Sequence, residues 1–152
     1  MLFNKLLILK NMKYLFPIII LLSISWTTDS SFTFSEKTKL DPCPNSPNCV
    51  STQEAHKRKK MRPMLFTESS NSAIEKLKTM LANNSRATLV EEKGNYLHYE
   101  FKTKIGKFID DVEFIFDEEI KQIHFRSASR KGYGDFGKNK RRMKKIRKEY
   151  EK

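Results

Sequence analysis

The sequence predicts an α+β fold: a four-stranded antiparallel meander with one helix before it and a basic helix after it. Three observations predict this. Apolar residues recur at helical spacing over residues 73–81, the hydrophobic period changes to two after Arg86, and a helical stripe returns after Asn139. The alternating stretch is divided by three turn signals, Lys93-Gly94, Ile105-Gly106 and Glu118-Glu119, into strands near 86–92, 95–104, 107–117 and 120–129.

In chain order, Lys5, Lys10 and Lys13 precede an apolar run at 14–26. Its 13 residues fit a signal-peptide core better than a full membrane span of about 20. Residues 1–26 are therefore expected to be a cleaved signal peptide or a retained anchor, and 27–39, rich in Ser and Thr, a linker. A single α+β domain is expected over 40–152. Either fate of the first segment places that domain outside the cytoplasm, in the periplasm or on the outer side of the membrane.

Cys43 and Cys49 are the two cysteines of the chain and lie in Leu-Asp-Pro-Cys-Pro-Asn-Ser-Pro-Asn-Cys-Val-Ser. Prolines and asparagines at this density disfavour a helix or central strand. In an oxidising compartment the pair closes a small disulfide loop; zinc would need further ligands and another spacing. A basic loop with His56 follows. Ser70 or Asn71 is a candidate cap for the first helix, whose apolar face is Ala73, Leu77, Met80 and Leu81. Asn83 and Asn84, which tolerate the left-handed conformation, end it.

The three turns dictate register. They place Val90, Leu97, Phe114 and Ile123 in one row and Thr88, Tyr99, Val112 and Phe125 in the next. The third row on this apolar face is Phe101, Asp110 and Ser127. Asp110 is out of place there, since a carboxylate among apolar neighbours needs hydrogen bonds or a cation. Ser127, Ser129 and Arg130 are the nearest candidates, as are backbone N–H groups of the loop 127–137. The opposite face carries Glu100, Asp111 and Arg126, with Arg126 expected to clamp Asp111, and a row of His98, Glu113 and His124. The latter row could hold a divalent metal, though it reads more simply as a polar face.

The segment Arg130-Lys-Gly-Tyr-Gly-Asp-Phe-Gly-Lys-Asn has three glycines in six residues but lacks the Lys-Ser/Thr of a phosphate-binding loop. Asp135 or Asn139 can cap the last helix, whose thin stripe of Met143, Ile146 and Tyr150 either packs on the domain or lies on an anionic membrane surface. Net charge is +12. Residues 138–152 hold nine Lys or Arg against two acids, and 57–62 hold five basic residues, so these two clusters carry the whole excess. Such clusters attract anions, or simply solvate a face.

The cysteine segment, Phe108-Ile-Asp-Asp-Val-Glu-Phe, and Arg126-Ser-Ala-Ser-Arg-Lys-Gly-Tyr-Gly-Asp-Phe-Gly-Lys-Asn-Lys-Arg-Arg together resemble the family catalogued as domain of unknown function 1499. The resemblance runs from about residue 40 to the end. It implies an exported or membrane-associated protein and no established activity, cofactor or substrate. The positions it singles out are Cys43, Cys49, Asp110, Asp111, Arg126, Ser129, Arg130, Asp135, Asn139 and Arg142; Lys140 stands where arginine is expected, keeping the charge without the bidentate fork.

No nucleophile–base pair is evident, and no residue pattern calls for a cofactor or a metal. The leading expectation is a non-enzymatic envelope domain that binds an anionic ligand or envelope component through Asp110, Asp111, Arg126, Ser129, Arg130, Asp135, Asn139 and Arg142. The alternative is a hydrolase with Asp110 as base and Arg126 or Arg130 stabilising an anion. Nucleic acid is disfavoured as a partner by export, and Tyr133, Phe136 and Tyr150 are not spaced as a stacking platform.

Overall fold

A computed structural model describes residues 36–105 and 108–152. The expected signal peptide or anchor and most of the expected linker lie outside the described residues. In chain order the elements are β1 (Cys49–Ser51), β2 (Met64–Leu65), α1 (Ser70–Ala82), β3 (Ala87–Lys93), β4 (Tyr96–Lys102), β5 (Ile109–Asp117), β6 (Gln122–Ser129) and α2 (Lys138–Tyr150). The fold is α+β, and all strand pairs are antiparallel. Among the described residues the sheet has six strands rather than four. The order is β1-β6-β5-β4-β3, with β2 also paired to β6. The two extra strands are only three and two residues long, too short to show a period, and β1 follows the proline-rich loop on the outer side of β6.

Both helices cover one face of the sheet, as the two-layer solution for an apolar sheet face requires. Leu77 and Leu81 of α1, Met143, Ile146 and Tyr150 of α2, and Leu97, Val112, Phe114, Phe116 and Phe125 of the sheet are all buried in one cluster. Burying each of the three phenylalanines contributes about 2–3 kcal/mol relative to exposure. The α2 stripe therefore faces the core and is not available to a membrane surface. α1 is capped one residue earlier than expected, by Ser69, whose Oγ accepts the Ser72 N–H (3.3 Å). Asn83 ends it in a right-handed conformation (φ −75°) rather than a left-handed one.

The register of β4 and β5 is as the turns predict, with Leu97 opposite Phe114, Tyr99 opposite Val112 and Phe101 opposite Asp110. The other two hairpins differ. Val112 faces Ser127 instead of Phe125, and Phe114 faces Phe125 instead of Ile123. The connection is four residues, 118–121, because Asp117 Oδ1 accepts the N–H groups of Glu119 (3.1 Å) and Ile120 (3.2 Å) and Lys121 takes a left-handed φ of 54°. A two-residue turn would demand positive φ within Glu118-Glu119, which neither residue favours. The slip is two residues, so every side chain keeps its face.

In the first hairpin the turn is Gly94-Asn95, with Gly94 (φ 56°) at the first central position, where a primed turn calls for glycine. Val90 is then the extra residue of a bulge between Leu89 and Glu91. It is 50% exposed rather than in the core. On the second face of the sheet, Leu40, Tyr96 and Ile115 form a small buried cluster. The incoming chain is held there by paired hydrogen bonds between Lys37 and Asn95 (both 3.0 Å). Among the described residues no helix is long and apolar enough to cross a membrane.

Candidate functional site

The expected site residues separate into three clusters on two faces of the sheet. Asp110, on the helix-covered face of β5, is 2% exposed and forms a salt bridge with Arg142 of α2. Arg142 Nη1 also donates to Ser127 Oγ (3.1 Å) and Asn139 Oδ1 (2.6 Å), and its guanidinium lies 4.9 Å from the Phe101 ring centre. Arg142, and not Arg130 or the loop backbone, supplies the charge Asp110 needs. Helical spacing puts Asn139 and Arg142 on one face of α2.

Asn139 is the hub of this interior network. Its Oδ1 also accepts from Ser127 Oγ (2.6 Å), and its Nδ2 donates to Asn48 O (2.9 Å), Ser129 Oγ (3.0 Å) and Asp135 Oδ2 (2.9 Å). Asp135 accepts the N–H groups of Gly137 (2.8 Å) and Asn139 (2.7 Å), satisfying donors that the start of a helix leaves without partners. Gly137, with φ 72°, makes the bend that lets Asp135 reach back; a Cβ there would come 3.3 Å from Arg141 Nη1. Cys43 and Cys49 are disulfide-bonded, with Cα atoms 5.7 Å apart. Within that loop Asn48 is 3% exposed, and its Nδ2 donates to Gly132 O (2.5 Å). Asn48 thus ties the disulfide loop to the glycine loop and to α2. Sequence reasoning missed it, because a second asparagine in a turn-rich stretch carries no mark of burial.

The second cluster is on the opposite face. Arg130 donates from Nε to Asp111 Oδ2 and from Nη2 to Asp111 Oδ1 (both 2.8 Å), and Nη2 also reaches Glu100 (2.6 Å). His98 Nε2 is 2.7 Å from Asp111. Burial pushes the Asp111 carboxyl up, but the hydrogen bonds from Arg130 and His98 and the Arg130 charge outweigh it and hold it below the ordinary range. The third cluster joins Arg126 to Glu113 (2.9 Å), which also accepts from Tyr96 Oη (2.9 Å) and lies 3.5 Å from Lys37 Nζ. The expected Arg126–Asp111 clamp is therefore replaced by Arg126–Glu113 and Arg130–Asp111, the direct result of the two-residue slip. The same slip breaks the His98, Glu113, His124 row: Arg126 stands opposite Glu113, and His124 faces Ile115. Burial pushes the His124 imidazole below its usual value, and its Nδ1 lies 3.2 Å from Thr52 Oγ1.

Arg142 forms a wall between the interior network and a groove of about 500 Å³ between α1, α2 and the end of β4. Arg86, Lys102, Lys104, Lys138, Arg142 and Lys145 line it against one acid, Glu149, with apolar lining from Met80, Leu81, Phe101 and Ile146 and the exposed Ile105 beside them. Of the eight expected ligand-binding residues only Arg142 lines this groove. It is assembled from three separated segments, of which only the basic stretch 138–152 stands out in the sequence.

The family model described as Protein of unknown function (DUF1499) matches residues 39–150. The chain belongs to this family. No curated protein and no solved structure matches it significantly. The DUF1499 match begins four residues before Cys43 and ends at Tyr150, so it takes in the disulfide loop, the whole sheet and both helices. Within this DUF1499 domain the motif residues chiefly bond one another.

Proposed function

We propose that this chain is a non-enzymatic domain of the cell envelope that binds an anionic ligand in the groove between α1 and α2. The observation that carries the reading is the six-to-one excess of basic over acidic side chains around a concave site with apolar lining residues. Cations converging on a cleft raise the local concentration of anions, and the apolar lining favours an anion that also carries an apolar portion. The interior network has a supporting role. Asp110, Ser127 and Asn139 hold Arg142 on the groove wall, and Asp135 sets the start of the helix that brings Lys138, Arg142 and Lys145 together.

The geometry lends less support to the hydrolase alternative. Asp110 faces the helices and is paired with Arg142, whereas Arg126 and Arg130 bond to carboxylates on the other face of the sheet. An export route is consistent with the Cys43–Cys49 disulfide, since such bonds persist in oxidising compartments.

Titration of the full chain with dodecyl phosphate, below its micelle concentration, tests the reading. Lys102→Glu with Lys145→Glu should weaken binding by about tenfold or more, corresponding to loss of two charge contacts at partly exposed sites. Lys57→Glu with Arg58→Glu, away from the groove, should leave it unchanged. Equal losses from both pairs, or none from the first, would remove the groove as the site.

A further inference from the structure

Phe136 is 92% exposed and Tyr133 is 76% exposed, both in the loop between β6 and α2. Phe136 is also one of two non-glycine residues with positive φ (52°) among the described residues. A phenylalanine in this conformation stores strain that surrounding contacts must impose. Here they do. Asp135 on one side is buried and hydrogen-bonded into α2, Gly137 on the other continues the left-handed bend, and the Phe136 carbonyl accepts from Arg141 Nη1 (2.7 Å). Between two anchored neighbours the ring is turned outward and held there. Nothing in the folding of the domain asks for an aromatic at this position.

The surroundings identify what the ring faces. Arg130 N–H donates to Ile109 O (3.1 Å), so the glycine loop leaves the same end of the sheet at which β5 begins. Ile105 and Phe108, 82% and 52% exposed, emerge at that end from the β4–β5 connection. Lys131, Lys138 and Arg141 are exposed around the two aromatics. The one acid of the loop, Asp135, is buried and committed to the α2 start. Apolar tips framed by cations match the boundary of an anionic bilayer, where aromatic rings settle at headgroup depth and each nearby Lys or Arg adds attraction.

We infer that the loop carrying Tyr133 and Phe136 is a membrane-docking tip that inserts its rings into the headgroup region of an anionic bilayer. The tip adjoins the groove, since Lys138 and Ile105 belong to both, but the inference is separate from the groove ligand because it concerns which end of the folded domain touches lipid.

The test uses the full chain with an environment-sensitive fluorophore on Phe136→Cys, a second preparation on Tyr133→Cys, and a control on Glu119→Cys at the far end of the sheet. Intact mass confirms that Cys43–Cys49 remains closed. On vesicles of equal parts phosphatidylcholine and phosphatidylglycerol, emission from positions 136 and 133 should shift to the blue and rise about threefold or more, while position 119 stays aqueous. The effect should vanish on pure phosphatidylcholine and fall steeply with salt. Chain that sediments with vesicles while the label at 136 stays aqueous would overturn the inference. So would an equal response on neutral vesicles, or a response without vesicles that grows with protein concentration, which would mark the tip as a contact between copies of the chain.

Discussion

Removing the Asp110 carboxylate by Asp110→Ala would leave the Arg142 guanidinium against Phe101 with its main counter-charge gone. Breaking one side of a buried pair is costly because the other charge stays behind. We expect a loss of about 3 kcal/mol in urea unfolding, well above the few tenths expected from Lys57→Ala on the surface. That Asp110 needs a cation follows from the row it shares with Phe101. Which cation serves it does not, since Arg142 arrives on a helix whose docking angle no strand pattern contains. Asn139 is a similar case: its place after the glycine loop marks it as a cap candidate, yet its five side-chain partners come from four separate segments.

At the scale of elements, the hairpins show what residue patterns encode and where that ends. The β4–β5 register agrees with the pattern because alternation and turn position both point to the same pairing. The β5–β6 pairing differs by two, because a side-chain-organised bend at Asp117 takes the place of a minimal turn. Alternation survives such an error and pairing does not, so the apolar face was legible and the ion pairs were not. Short β1 and β2 have no period to read. The disulfide loop is a second element-level case, since Asn48 transmits its position to the glycine loop and to α2. Reduction of Cys43–Cys49 should cost roughly 2 kcal/mol by loop entropy. It should also speed amide exchange over residues 129–139 more than in α1. Uniform acceleration across both would show that the loop acts only on global stability.

For the whole molecule, two perturbed groups give the pH response the same sign. The folded His124 binds its proton less readily than the unfolded residue, whose value is about 6.5. Stability tied to it is therefore present above that value and lost as pH falls through it towards the folded one. Asp111 is likewise depressed, so its contribution holds above the unfolded value of about 3.9 and disappears as pH falls through the folded one. Stability should thus decline on acidification in two stages. His124→Gln should flatten the upper stage, which begins as pH falls through the unfolded histidine value of about 6.5, and leave the lower one intact. An unchanged slope just below that value in this variant, measured by urea midpoints, would assign the decline to other groups.

Of the two edge strands among the described residues, β3 carries Glu91, Glu92 and Lys93 and is interrupted by the bulge at Val90. An open ladder invites a neighbouring chain to zip on and begin a fibril. Here a newcomer would meet an uneven hydrogen-bond spacing and two adjacent negative charges. The bulge and the paired acids thereby keep this margin from becoming a template.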